Sequence, residues 1–264
     1  MTATTESQHG SGQEVTAAGG PARRVARALA DLLFPPGCNS CGLELDGTPD
    51  GILFCDACRA ELTDAAAVRC RRCAGIAPRD APPPDMCDLC RGRRLRFDGA
   101  VTFGSYDGRL RELVLRMKTR REEPLSLAVG RWMSRQLGER LAELRADVIA
   151  PVPMFWTRRL LRGVNSPEIL AESLGGRLGL PVRRVLVRTR NTLPQYSLPP
   201  SKRFPNVRGA FRIRRGYDLG GARVLLVDDV LTTGATSSEA ARALRSAGAE
   251  AVLVAVAARA PGAG

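Results

Sequence analysis

Histidine occurs once in the 264 residues, as His9. A Ser–His or Cys–His nucleophilic centre needs an imidazole beside the nucleophile, and one His in a polar amino-terminal stretch supplies none. Lysine occurs twice, as Lys118 and Lys202, against 40 basic residues in total. Aromatic residues make up 5%, which leaves little for the ring stacking by which single-strand binders hold successive bases. No apolar run approaches the roughly 18 residues of a spanning helix. Residues 1–22 are polar, rich in Gly, Ala and Thr, and lack the apolar segment of a signal peptide. These absences lead us to expect a cytoplasmic protein with no membrane span and a disordered tail over 1–22.

What the chain does have begins with eight cysteines in two sets: Cys38, Cys41, Cys55 and Cys58, then Cys70, Cys73, Cys87 and Cys90. Each set reads C-x2-C-x13-C-x2-C, and the second repeats the first 32 residues on. Two residues between cysteines let a tight knuckle aim both sulfurs at one ion, and two knuckles complete a tetrahedral site of four sulfurs. A reducing cytosol argues against a disulfide framework. We therefore expect two structural zinc ions in an N-terminal helix and double zinc-ribbon module over 23–97. Spacing alone leaves open whether the knuckles pair sequentially or interleave.

The formal charge of +13 points to polyanionic partners without naming one; two tetrathiolate zinc centres would lower it by four. Arg69, Arg71, Arg72, Arg91, Arg93, Arg94 and Arg96 cluster around the second cysteine set. They form either a solvated basic face or a contact for nucleic-acid phosphates.

From residue 98 to 264 strand and helix patterns alternate, the mark of an α/β domain with a parallel sheet covered on both faces. Strands are expected at 100–106, 147–153, 181–187, 222–229 and 251–258. Helices are expected from Leu110, over Leu125–Leu144, Ser166–Leu178 and Ala235–Ser246. Residues 188–208, with four prolines and no periodicity, read as a long loop of the kind that often forms a lid. The stretch VDDVLTTGAT (227–236) places Asp228 and Asp229 at a strand end, where ligands of such sheets bind. Paired carboxylates there can bond vicinal hydroxyls or hold Mg²⁺ through water. Thr232, Thr233, Gly234, Ala235 and Thr236 then turn into a helix, offering amide N–H groups and hydroxyls to a phosphate. Hydroxyls on one side and phosphate on the other describe a ribose 5-phosphate. A lone Lys118 in an arginine-rich chain is either a required compact ammonium or a surface lysine.

VLLVDDVLTTGAT resembles the signature of the type I phosphoribosyltransferases, which bind 5-phosphoribosyl-1-pyrophosphate (PRPP). The chain from about Leu33 to Ala258 resembles the ComF (GntX-like) family, with RELVLRMK (111–118), PVP (151–153), RRLLRGVN (158–165), NTLPQ (191–195) and NVRGAF (206–211) as further matching pieces. The resemblance implies a zinc ribbon joined to a type I phosphoribosyltransferase fold. It also implies a Mg²⁺-dependent transferase, with Asp228, Asp229 and Lys118 in catalysis and Thr232–Thr236 on the 5′-phosphate. Arg158, Arg159 and Arg162 become candidates for the pyrophosphate, and Gln195, Arg203 and Asn206 for a closing lid. Phe155 and Trp156 stand where the family usually has His-Pro, and Ser166 where Gln is usual, so the acceptor is unassigned. The alternative is a non-catalytic PRPP sensor or a protein handling single-stranded DNA, as the family's link to competence suggests.

Overall fold

The computed structural model describes residues 34–46, 51–63, 67–79, 83–119 and 122–261. The tail expected over 1–22 and the helix expected after residue 23 lie outside the described residues.

The cysteine repeat is also a repeat in three dimensions. Cys38 N–H donates to Leu43 O (2.7 Å) and Gly42 N–H to Cys38 O (2.8 Å); 32 residues on, Cys70 N–H donates to Gly75 O (2.8 Å) and Ala74 N–H to Cys70 O (2.8 Å). One antiparallel bridge closes each knuckle, Gly37 with Glu44 and Arg69 with Ile76. The turn needs a left-handed residue. Gly42 supplies it in the first repeat at φ 78°, and Ala74 in the second at φ 54°. The later cysteines diverge: Cys58 sits in helix α1 (Asp56–Leu62), whereas Cys87 and Cys90 lie in a turn.

The sheet follows. Strands β1 (Gly99–Ser105), β2 (Val148–Pro151), β5 (Arg223–Leu231) and β6 (Ala251–Arg259) form one parallel sheet in the order β1-β6-β5-β2. Their near-continuous apolar runs are those of strands buried on both faces. Helices α2 (Gly108–Arg116), α3 (Glu123–Ala142) and α5 (Ser166–Leu178) share one core with Leu225, Val227 and Leu253, and α7 (Ala235–Ser246) shares the other with Val224, Leu226 and Val254. Alternate strand residues thus face opposite cores. The ribbons divide the same way. Ile52, Phe54, Cys58 and Leu62 belong to the first core, and Cys70, Cys90, Leu95 and Phe97 to the second. Both cores therefore draw on residues before and after residue 97.

Two expectations need correction. The strand expected over 181–187 is split. Arg183 N–H donates to Ile149 O (2.9 Å), and Ile149 N–H to Pro181 O (3.0 Å), as a bridge on the edge of β2; only β3 (Leu186–Arg188) is a strand, paired antiparallel with β4 (Phe211–Ile213) in a separate small sheet. The apolar run 185–187 cannot report that the chain changes sheets between Arg183 and Leu186. The loop expected over 188–208 is partly helical, with a 3-10 turn at Gln195–Ser197 and helix α6 (Pro200–Val207). Pro200 suits a first turn, where the missing N–H is unsatisfied anyway, and Val207 buries against the second core.

Candidate functional site

Hydrogen bonding between β2 and β5 stops at Pro151 opposite Val227, with a last bond from Val152 N–H to Val227 O (2.8 Å). Past that point β5 keeps β6 on one side only, as far as Leu231. The strand thus outruns its expected end at Asp229, and both aspartates lie on its half-open final segment. The chain after β2 continues through α4 (Trp156–Arg162) to α5 on one face, while the chain after β5 enters α7 on the other. Diverging connections leave a crevice at this point, where open α/β sheets take ligands.

Asp228 is 8% exposed and Asp229 stands more open to solvent. Burial and the neighbouring Asp229 charge hold the Asp228 carboxyl well above the usual range, against the opposing pull of the Asp229 N–H (2.9 Å to Asp228 Oδ1) and Lys118. Lys118 Nζ lies 3.0 Å from Asp229 Oδ2. Its burial would lower the ammonium pKa, but the charge and hydrogen bond of Asp229 outweigh that and raise it. Lys118 is therefore part of this cluster, not a free surface lysine. Ser166, where the resemblance would have Gln, donates its hydroxyl to Met117 O (2.8 Å) and so braces the residue before Lys118.

The turn after β5 forms because Gly234 adopts φ 82°, and α7 begins at Ala235. Thr233 is 8% exposed, and its buried hydroxyl oxygen has no hydrogen-bond partner. A methyl group on residue 234 would meet Leu95 Cδ2 at 2.9 Å as well as adopting a left-handed φ. Gly234→Ala is expected to cost on the order of 1–3 kcal/mol, read as a lowered melting temperature.

Arg158 donates to Thr192 O (2.5 Å), and Arg188 to the Thr192 hydroxyl. Burial and the charge of Arg158 depress the Arg188 pKa, and Asp228 partly restores it. These interactions tie the loop after β3 to the aspartate cluster. Arg188 Nε and Gln195 Oε1 are buried without partners. Three of the five such side-chain atoms among the described residues thus belong to Arg188, Gln195 and Thr233; orphaned polar atoms gather where a polar ligand would satisfy them. Arg188 and Thr192 were missing from the candidate set. An arginine ending an apolar strand is the one sequence signal that could have flagged Arg188.

The other candidates are placed differently. Arg159 forms a two-pronged pair with Glu168 (2.5 and 3.0 Å), which Arg184 also contacts at 3.0 Å. Burial raises the Glu168 carboxyl, but these guanidiniums and Asn165 bring it below its usual value. Arg162 is half-buried in the last turn of α4. Gln195 Nε2 donates to Arg203 O (3.4 Å), Arg203 Nε to Leu198 O (3.0 Å), and Asn206 exchanges two bonds with the Leu193 backbone (3.2 and 3.0 Å). The proposed lid residues thus bond within their own loop. Of the ribbon arginines, Arg71 pairs with Asp85 and Arg91 with Asp88, while Arg69 and Arg72 bond backbone carbonyls. Arg93, Arg94 and Arg96 have no acidic partner among the described residues.

The cysteines group sequentially, each set with its sulfurs within 4.8 Å of one another. Sulfur pairs at 3.6–3.9 Å match the roughly 3.8 Å edges of a sulfur tetrahedron with Zn–S bonds of about 2.3 Å, and lie far beyond a disulfide bond. In the first set, burial works against ionisation of Cys38, but the N–H groups of Cys41, Cys55 and Ser40 pull its thiol down to about 6. Burial and the neighbouring sulfurs push Cys58 up to about 12. Thiols that cannot all ionise together are what a dication relieves. Each set can hold one zinc.

A model of the phosphoribosyl transferase domain matches residues 166–263. Competence protein F of Haemophilus influenzae is 29% identical over 173 residues, covering 64% of this chain and 76% of that protein. DNA utilization protein YhgH of Escherichia coli is 31% identical over 206 residues, covering 76% of this chain and 88% of that one. A 45-residue stretch is 53% identical to orotate phosphoribosyltransferase of Sphingopyxis alaskensis, covering 17% of this chain and 23% of that protein. With the Asp-Asp strand end, the glycine turn and two four-cysteine groups ahead of a parallel sheet, the chain belongs to the ComF family, with a type I phosphoribosyltransferase fold.

Proposed function

We propose that the protein binds PRPP at the carboxyl end of β5 and transfers its ribose 5-phosphate to an acceptor in a Mg²⁺-dependent reaction. The observation that carries this reading is the buried, partnerless Thr233 hydroxyl at the mouth of α7, beside a strand end bearing Asp228 and Asp229, the latter paired with Lys118. Thr232–Thr236 would take the 5′-phosphate on N–H groups at the positive end of α7. Asp228 and Asp229 would accept hydrogen bonds from the ribose hydroxyls. Their oxygen donors fit Mg²⁺, which is commonly held by one or two carboxylates plus substrate phosphates, and the ion would neutralise charge on the departing pyrophosphate. In the reaction the bond from C1 to pyrophosphate breaks, the bond from C1 to the acceptor forms, and the acceptor loses a proton. No histidine is required. Arg158 and Arg162 are proposed on the pyrophosphate; Arg159 could join them only by loosening its hold on Glu168. Gln195, Arg203 and Asn206 are proposed to reorganise over bound PRPP.

A second reading has specific support. The relatives named for competence and DNA utilization favour a protein that senses PRPP or handles single-stranded DNA. Arg212, Arg214 and Arg215 line an open groove of about 430 Å³ beside Val187, unpaired with any carboxylate among the described residues, and Arg93 and Arg94 add charge on the ribbon. The experiment is calorimetry with PRPP and Mg²⁺, followed by pyrophosphate release against a panel of nucleobases and other nitrogen acceptors. Binding with turnover supports the transferase, and binding without turnover on any acceptor supports the sensor. No affinity for PRPP overturns both PRPP readings. DNA handling requires retention on single-stranded DNA that falls steeply with salt and weakens in an Arg93→Ala, Arg94→Ala double variant.

A further inference from the structure

Arg259 ends β6, a strand that is apolar from Ala251 to Ala258. It is 4% exposed. Its Nε donates to Cys73 O (2.7 Å), and Nη1 donates to Leu231 O (3.0 Å), Thr232 O (2.7 Å) and Ala260 O. Nη2 lies 3.9 Å from Cys73 Sγ. Among the described residues no carboxylate pairs with it. A guanidinium this deep is costly without an anion. The second cysteine set supplies one when loaded, because four thiolates on Zn²⁺ leave two net negative charges beside Nη2.

The same guanidinium holds the two carbonyls immediately ahead of Thr233, Gly234 and Ala235. Leu89, Leu95 and Phe97 of the ribbon face Thr232, Thr233 and Gly234 across a narrow cleft, and Ser238 of α7 accepts from Arg96 N–H (3.0 Å). Among the described residues the first cysteine set has no such link; its Cys38 and Cys58 pack into the core on the opposite face of the sheet. We propose that Arg259 is a positioning residue that couples metal loading of the second four-cysteine centre to the geometry of the phosphate turn. The second zinc then shapes the ligand site, and the first does not. Coupling between sites is reciprocal, so a ligand on the turn also retains the second zinc; only this ligand arm rests on the PRPP reading.

The test uses the full chain loaded with zinc. Amide hydrogen exchange is followed over 231–238, and zinc release to a chromogenic chelator is timed with and without PRPP and Mg²⁺. Arg259→Gln is expected to weaken the second zinc about ten- to a hundredfold, the usual effect of removing an outer partner of a metal site, and to speed exchange over 231–238. Arg259→Lys, which keeps the charge but not the fork, should recover zinc retention without recovering protection of the turn. Cys41→Ser should lose the first zinc and leave the turn unchanged. Wild-type protein stripped stepwise of zinc provides the same comparison should a variant fail to fold. Exchange over 231–238 that ignores the second zinc overturns the proposal, as does PRPP binding that leaves both zinc release rates unaltered. If PRPP does not bind while the turn still tracks the second zinc, the PRPP reading falls and the coupling stands.

Discussion

Asp228→Asn and Asp229→Asn are each expected to weaken PRPP binding strongly and to shift stability in opposite directions. Each ionised acid would accept a hydrogen bond from a ribose hydroxyl, and bonds to charged groups contribute about 1.5–3 kcal/mol. The double variant should lose roughly a hundredfold or more in affinity by calorimetry. Stability separates the two residues. Burial and the Asp229 charge raise the folded-state pKa of Asp228 above its ordinary value of 3.8, so between those two values the folded chain binds more protons than the unfolded one. Stability contributed by this group is then full below the unfolded pKa and is lost as pH rises through the folded pKa. Asn removes that loss. Asp228→Asn should melt higher than wild type at pH 8, by about 2–4 °C for each kcal/mol relieved, with the advantage vanishing near pH 4. Asp229→Asn should melt lower, because Lys118 Nζ loses the carboxylate 3.0 Å away. An Asp228→Asn protein no more stable than wild type at pH 8, or one that binds PRPP normally, would contradict the arrangement. A site that costs stability in order to bind is a familiar compromise.

The elements of the main sheet were legible because their signals are local. The helix expected over Ser166–Leu178 is observed with those bounds, as is Ala235–Ser246; each opens on a small polar or small residue, and Gly179 and Gly248 follow their ends with positive φ. The Asp-Asp pair and the glycine turn could be read as a site because contiguous residues build both. Arg188 and Arg259 showed at most an arginine at the end of an apolar strand, since partners that place them lie far along the chain: Asp228 for the first, Cys73, Leu231 and Thr232 for the second. The break after Arg183 is equally non-local, set by which sheet edge each half meets. Pairing of the cysteines also needed coordinates, because interleaved and sequential sets share one spacing.

The largest stability effect is expected from zinc removal, and its form follows from where the ribbons pack. Were they an appendage, stripping the metal would melt a separate module and leave the sheet untouched. Instead Phe54, Cys58 and Leu62 complete one core, and Cys70, Leu95 and Phe97 complete the other. Arg245 adds a further tie by donating its Nε to Arg96 O of the ribbon (3.2 Å). Structural zinc contributes about 10–16 kcal/mol to folding of isolated zinc-finger peptides. Even a fraction of that, at about 2–4 °C per kcal/mol, lowers the melting temperature of the whole chain by on the order of 20 °C. Far-UV circular dichroism at low temperature should change little, because every described helix except α1 follows residue 97. Cys70→Ser should cost more than Cys41→Ser, since Cys70 is fully buried and Cys41 exposed. Calorimetry of chelator-treated protein checks the point. An unshifted main transition beside a separate lost one would mean that the ribbons fold alone, and that the cores on the two faces of the sheet do not need them.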